Sequence, residues 1–235
     1  MRDQLHVSEI FASLQGEGPS LGEYAVFLRL GRCNLSCSWC DTAYSWDWTR
    51  FNEAEEITSM PISDVVAHVL AITPRPSLLV VSGGEPLLQQ PALTRLLVTL
   101  NETAPELRVE FETNGTIRPS PMLVSRTHRF VVSPKLSNSN LILERRIRPE
   151  TLQMFAAADA NVLKFVVSSA KDVSEVAAIS REVGFSRNRV WLMPEGATEE
   201  QQQRSMRLTA DAAIGEGFNF TPRLHVILWG DERGT

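Results

Sequence analysis

Runs of β-branched and large apolar residues recur along the chain: LHVSEIF (5–11), YAVFLRL (24–30), SLLVVSG (77–83), LRVEFET (107–113), RFVVS (129–133), VLKFVVS (162–168), RVWLMP (189–194) and RLHVIL (223–228). Several are almost wholly apolar rather than alternating, which is the pattern of parallel strands covered on both faces. Stretches of helical period lie between them. ISDVVAHVLAI (62–72) can start at Ser63 and puts Val65, Val66, Val69 and Leu70 on one stripe, and PALTRLLVTL (91–100) opens on a proline suited to a first turn. DVSEVAAISREV (172–183) stops at Gly184, and TEEQQQRSMRLTADAAI (198–214) has an acidic first turn. Stretches 41–60 and 134–149 are less regular. Strand and helix alternate, so the pattern predicts an α/β fold on a parallel sheet, open or curled into a partial barrel.

Sheets of that kind bind ligands beyond the carboxyl ends of their strands. The unusual residues fall there. GRCNLSCSWCDT (31–42) follows YAVFLRL, SGGEP (82–86) follows SLLVV, ETNGT (112–116) follows LRVEF, SPK (133–135) follows RFVV, and MPEG (193–196) follows RVWL. Each piece by itself is first of all a turn former. Their common position along one rim predicts a shared site.

The first of these pieces holds every cysteine of the chain, Cys33, Cys37 and Cys40. A disulfide would leave one thiol over, and spacings this short suit a shared ligand better than paired bridges. Zinc would need a fourth ligand, and His6, His68, His128 and His225 are all remote in sequence. An electron-carrying iron–sulfur cluster normally takes four cysteines. Three would leave one iron of a [4Fe-4S] cluster open to a ligand that is not protein. Three neighbouring structural cysteines are the bland alternative, but free cysteines are usually scattered through a core.

Bulk properties set the frame. A chain of 235 residues suits one domain, 1–235, with a core able to stand without staples. Net charge is -5, so no basic field argues for nucleic acid or an acidic membrane as partner. The stretch MRDQLHVSEI lacks the apolar core of a secretory signal, and no apolar run approaches the roughly 18 residues that span a bilayer. The expected location is the cytoplasm, where thiols stay reduced.

CNLSCSWC has the spacing C-x3-C-x2-C with an aromatic before the last cysteine, and with SGGEP it resembles the radical S-adenosylmethionine (SAM) enzymes. That resemblance implies a partial TIM-like β/α barrel and a three-thiolate [4Fe-4S] cluster whose open iron is chelated by SAM. The longer stretch SLQGEGPSLGEYAVFLRLGRCNLSCSWCDT (13–42) resembles the 7-carboxy-7-deazaguanine synthase family, as do SGGEPLLQ (82–89), ETNGT, VVSPK (131–135), KFVV (164–167) and LHVILWGDERGT (224–235). Segments 136–160 and 197–222 carry no nameable motif and say little about substrate. The resemblance implies a lyase that turns 6-carboxy-5,6,7,8-tetrahydropterin into 7-carboxy-7-deazaguanine and ammonia in queuosine-type 7-deazapurine biosynthesis. It further implies Mg2+, a flavodoxin- or ferredoxin-type electron donor, a small-molecule pterin substrate and a homodimer. The alternatives are another radical SAM enzyme, such as a glycyl-radical activase, or a non-catalytic three-cysteine metal-binding module.

Residue roles follow from the same resemblance and can be checked against side-chain chemistry. A carboxylated pterin needs a cation for its carboxylate and donors and acceptors for its ring edge. Arg29, a charge inside an apolar strand, fits the carboxylate as a planar fork, or else pairs with a nearby acid. Gln15 and Glu17 can serve the ring edge and, with Arg29, are the expected catalytic residues. Leu14, Gly16, Ser82, His225 and the terminal carboxylate of Thr235 complete the implied substrate contacts. Thr42 is the implied Mg2+ ligand, a local cap formed by Asp41–Thr42 being the other reading. For SAM the implied set is Gly83, Gly84 and Glu85 at the methionyl amino group, and Glu112 and Asn114 at the ribose. Ser133, Pro134 and Lys135 serve the carboxylate and ribose, and Trp39, Met193, Pro194 and Glu195 flank the adenine, with Cys40 and Asp41 alongside.

Overall fold

The computed structural model describes residues 3–230 and 232–235. Seven of the eight apolar segments form strands: β1 (Gln4–Leu14), β2 (Tyr24–Leu30), β4 (Leu78–Gly83), β5 (Arg108–Thr113), β6 (Arg129–Val132), β7 (Val162–Val167) and β8 (Val190–Pro194). Two short strands, β3 (Thr58–Pro61) and β9 (Asn219–Phe220), complete one sheet in the order β3-β1-β2-β4-β5-β6-β7-β8-β9. The pairs from β2–β4 to β8–β9 are all parallel. The sheet does not close, because β3 and β9 are its two edges.

The wholly parallel sheet needs one correction, since β1 runs antiparallel to both β2 and β3. Residues 15–23 between β1 and β2 are too few for the crossover of roughly a dozen residues or more that a parallel pair requires. RLHVIL also departs from expectation: it contributes the helix α9 (Leu224–Trp229). A six-residue apolar run carries no decisive period, and β9 already occupies the sheet edge beside β8.

Helices fill the crossovers. In chain order they are α1 (Glu53–Glu56), α2 (Ile62–Ala71), α3 (Gln90–Thr103), α4 (Pro121–Val124), α5 (Leu143–Arg146), α6 (Pro149–Ala156), α7 (Ala170–Glu182) and α8 (Glu199–Glu216), followed by α9. Pro91 sits in the first turn of α3. Reciprocal caps open α7 (Ser169 with Asp172) and α8 (Thr198 with Gln201), each cap contributing about 1 kcal/mol. Gly184 follows α7 with φ +82°.

The two faces of the sheet differ, which explains the near-continuous apolar runs. Leu28 and Leu30 of β2, Leu79 and Val81 of β4, Phe111 of β5 and Phe165 of β7 join the helices in the main core. Each side chain of this size contributes about 1.5–3 kcal/mol on full burial. On the inner face Ala25, Phe27, Leu78 and Val80 form a smaller cluster against Phe11, whose ring stacks on Phe27 at 5.0 Å. Towards the carboxyl ends that face becomes polar. The parallel register sets Arg29 beside Ser82, and Lys164 and Val166 of β7 beside Trp191 and Met193 of β8.

Candidate active site

A cavity of about 490 Å³ opens at the carboxyl ends of the strands, within the range of small-molecule sites. The loop after β1 brings Leu14, Gln15, Gly16 and Glu17 to its wall, β2 brings Arg29, and the following loop brings Cys33, Cys37, Trp39, Cys40, Asp41 and Thr42. Ser82, Gly83 and Gly84 come from β4 and its turn, Glu112 and Asn114 from β5, Ser133 and Lys135 from after β6, Met193 from β8, and His225 and Thr235 from α9 and beyond. Glu85, Pro134, Pro194 and Glu195 do not border the cavity.

Glu85 has a different task. Its carboxylate is fully buried and accepts hydrogen bonds from the backbone of Leu87 (2.9 Å) and Asn114 (2.7 Å) and from the Thr113 hydroxyl (2.8 Å), tying the end of β4 to the end of β5. Burial pushes its carboxyl above the ordinary value. Ahead of it, a Cβ on Gly83 would stand 2.0 Å from the Leu30 carbonyl oxygen, and one on Gly84 2.1 Å from that of Arg32. The turn can therefore clamp the start of the cysteine loop, through Gly84 N–H to Leu30 O (3.0 Å) and Glu85 N–H to Arg32 O (2.9 Å).

Arg29 has a protein partner. Its Nε donates to Glu9 Oε2 (2.8 Å), which also accepts from the Tyr44 hydroxyl (3.3 Å), and its guanidinium lies 5.7 Å from the Phe11 ring centroid. Burial opposes its charge, but Tyr44 and Glu9 outweigh that and hold the guanidinium more firmly protonated than usual. Its two terminal nitrogens carry no hydrogen bond among the described residues, so the outer edge of the fork is available to a ligand.

A buried charge network on the cavity wall is one that sequence reasoning missed. Lys164, 3% exposed, bridges Glu17 and Glu112, reaching Glu112 Oε1 at 3.0 Å and Glu17 Oε2 by a short ion pair. Arg223 reaches the other Glu17 oxygen (3.1 Å), the Gly196 carbonyl (2.8 Å) and Asp41. Burial alone would raise the Glu17 carboxyl, but Lys164 and Arg223 hold it well below the usual carboxylate range. Lys164 is likewise disfavoured by burial and kept charged by Glu112 and Glu17. His225 completes the group at 3.9 Å from Glu17, and burial lowers its pKa. Gly16 lies against it, where a Cβ would meet His225 Nδ1 at 2.1 Å. Asp41 is thus paired across the fold rather than capping its own turn. Thr42 makes no capping bond either, and its hydroxyl faces Cys40 Sγ at 3.6 Å.

Lys135, which could equally have been a surface lysine, donates to the Ser133 hydroxyl (3.2 Å) and lies 5.4 Å from the Trp39 ring centroid. Asn114 is largely engaged by protein, donating to Asn34 (2.9 Å) and accepting from Thr116. Gln15 uses its side-chain oxygen to accept from Glu17 N–H (3.2 Å).

The three thiols border one cavity, yet among the described residues no group of three His, Cys, Asp or Glu side chains is placed to hold a single metal ion. A cluster, in which each thiolate takes its own iron, asks only that the three thiols share one rim, as they do here. Burial pushes the Cys33 thiol up to about 12 and raises Cys37, so bare thiolates are disfavoured there and a cationic metal centre is what would stabilise them. The donor set fits an iron–sulfur cluster with one corner open to the cavity.

Comparison with known proteins agrees with this geometry. Residues 28–203 match the model of the Radical SAM superfamily. Proteins named 7-carboxy-7-deazaguanine synthase are 41% identical in Pyrobaculum aerophilum (98% of this chain, 97% of that protein), and 36% in Hyperthermus butylicus (95% and 92%). The one from Halobacterium salinarum is 34% identical (97% and 91%). The crystal structure of QueE from Escherichia coli shares the fold at a TM-score of 0.70 and 23% identity, covering 94% of this chain and 95% of that one. With the three-thiol loop, the clamped glycine turn and relatives matched along almost the whole chain, the protein belongs to the Radical SAM superfamily and, within it, to the 7-carboxy-7-deazaguanine synthase family.

Proposed function

We propose that the cavity binds 6-carboxy-5,6,7,8-tetrahydropterin and that the chain, a radical SAM lyase, converts it to 7-carboxy-7-deazaguanine and ammonia for queuosine-type 7-deazapurine biosynthesis. The observation that carries this reading is the outward edge of the Arg29 fork in the same cavity as the three-thiol loop and the Gln15–Glu17 loop. When bound, the [4Fe-4S] cluster and SAM supply a 5′-deoxyadenosyl radical, chemistry that belongs to the cofactors.

The chain's own groups bind, orient and shield. Cys33, Cys37 and Cys40 hold the cluster. Arg29 receives the pterin carboxylate while Glu9 fixes the plane of its guanidinium. Glu17, kept ionised by Lys164 and Arg223, accepts from ring N–H groups, and Gln15, Leu14, Gly16, Ser82, His225 and Thr235 bound the ring around it. Lys135 and Ser133 take the SAM carboxylate, Gly83 and Gly84 its amino group, Glu112 and Asn114 its ribose, and Trp39 with Met193 its adenine. Thr42 offers one neutral oxygen to Mg2+, a cation that keeps much of its water and takes few protein ligands.

A single domain spanning 1–235, a homodimer, a flavodoxin- or ferredoxin-type electron donor and a cytoplasmic setting belong to the same reading, supported by the family. No helix among the described residues is long and apolar enough to cross a membrane. The test is anaerobic incubation of reconstituted protein with the carboxypterin, SAM, Mg2+ and a low-potential reductant, with products identified by mass spectrometry. Product should exceed the SAM consumed. An intact cluster that cleaves SAM yet leaves the carboxypterin unchanged would overturn the substrate assignment.

A further inference from the structure

The three cysteine sulfurs have unequal surroundings. Cys33 Sγ accepts from the backbone N–H of Leu35 at 3.4 Å. Cys40 Sγ accepts from the indole Nε1–H of Trp46 at 3.2 Å, with the Thr42 hydroxyl 3.6 Å away. Cys37 Sγ has no hydrogen bond from a side chain among the described residues. The indole is held in place by a single helical turn, Ala43–Ser45, that follows the cysteine loop. Trp46 N–H closes that turn on Ala43 O (3.0 Å), and Ser45, itself buried, accepts from Arg32 N–H (2.6 Å). Trp46 also borders the cavity.

We propose that Trp46 is a tuning residue for the cluster: its indole N–H, bonded to Cys40 Sγ, raises the reduction potential of the centre that the three thiolates hold. The inference rests on the cluster reading of those thiolates. One-electron reduction by an external reductant adds a negative charge that is shared with the cysteine sulfurs. A donor pointed at one of them therefore bonds more strongly to the reduced form than to the oxidised form, and hydrogen bonds to sulfur are a recognised lever on such potentials. The donor is neutral and does not titrate, so the effect carries no pH dependence of its own. In this role Trp46 is a positioning residue that acts through Cys40.

The experiment uses anaerobically reconstituted wild-type protein and Trp46→Phe, matched in iron content, each titrated with a low-potential reductant and mediators in the absence of SAM while the reduced cluster is followed by electron paramagnetic resonance. Trp46→Phe keeps an aromatic cover and loses the donor. Its equilibrium for one-electron reduction should become about tenfold less favourable, a midpoint about 59 mV more negative. Trp48→Phe is the control, because Trp48 lies in the same loop, outside the cavity wall, with no bond to sulfur. Its midpoint should equal the wild-type value. Equal midpoints for wild type and Trp46→Phe would overturn the proposal while leaving the cluster in place, whereas a colourless wild-type protein without iron would overturn the cluster reading instead. Should Trp46→Phe fail to load iron, pulsed spectra of reduced wild-type protein labelled with 15N at the tryptophan indole decide the matter. A weak 15N coupling supports the bond, and its absence overturns it.

Discussion

Arg29→Ala removes a side chain that faces two ways, and the two losses can be weighed separately. Towards the protein, the variant breaks the 2.8 Å bond to Glu9 and uncovers part of the Phe11 ring. The paired side chains are 19% and 20% exposed, so the pair lies between the surface regime, worth about 0–1 kcal/mol, and the buried one. Glu9 keeps the Tyr44 hydroxyl at 3.3 Å, so the carboxylate is not abandoned. A cost of about 1–3 kcal/mol follows, the range for leaving a buried polar group short of a partner. In a chain of this length each kcal/mol moves the melting temperature by roughly 2–4 °C, so a fall of about 2–12 °C is expected. Towards the ligand, truncating one side of a desolvated charge pair costs about 2–5 kcal/mol, or about 30-fold to several-thousand-fold in carboxypterin affinity. SAM affinity should hold. The assay is a pair of anaerobic titrations and a calorimetric melt on cluster-loaded protein. Arg29→Lys should recover little of the affinity, because a point charge cannot replace the planar fork. A lowered melting temperature with carboxypterin affinity intact would show that Arg29 serves Glu9 alone.

Other variants probe the rest of the cavity. Lys164→Met leaves Glu17 and Glu112 without their shared cation and should destabilise the fold by about 3–5 kcal/mol, read by calorimetry; an unchanged melting temperature would contradict the bridging role. Glu17, with a depressed folded pKa, contributes stability that is fully present above the ordinary carboxylate range and lost as pH falls below it. The stability gap between wild type and Glu17→Gln should therefore be widest near neutrality and shrink below roughly pH 4.3, and a gap independent of pH would refute the assignment. Cys33→Ala, Cys37→Ala and Cys40→Ala should each lose the visible absorption of a centre holding about four irons; a variant that keeps it identifies a thiol that is not a ligand. Thr42→Val should flatten the Mg2+ dependence of turnover with cluster content unchanged, and a wild-type Mg2+ response would remove Thr42 from the metal site.

Most of the rim was legible because each functional loop follows a strand whose apolar run stops abruptly, as YAVFLRL stops at Gly31 and SLLVV at Ser82. The charges inside those runs are legible to different degrees. Arg29 stands out as a cation in an apolar strand, and Lys164 gives the same signal in VLKFVVS, its ammonium being the more deeply buried. Its partners lie 147 and 52 residues away along the chain, and only the register of the sheet brings them together. The same holds for Asp41 and Arg223, 182 residues apart, and for Glu9, which the antiparallel register of β1 and β2 sets opposite Arg29. The helix α9 was hidden because a short apolar run declares burial and not period. The antiparallel start of the sheet could have been inferred from the short link between its first two strands.

The glycine turn after β4 makes the cysteine loop hostage to residues that never touch iron. A methyl at Gly83 or Gly84 would overlap the carbonyl of Leu30 or Arg32 by more than any side-chain adjustment could relieve, so the relief must come from the backbone that leads into Cys33. In a collection of inactive variants, glycine substitutions at these two positions would sort with the cysteine substitutions, colourless and unable to take up iron, and not with defects in cofactor affinity. The division of the site into a cluster half and a SAM half, natural on a diagram of ligands, has no counterpart in the way the chain tolerates change.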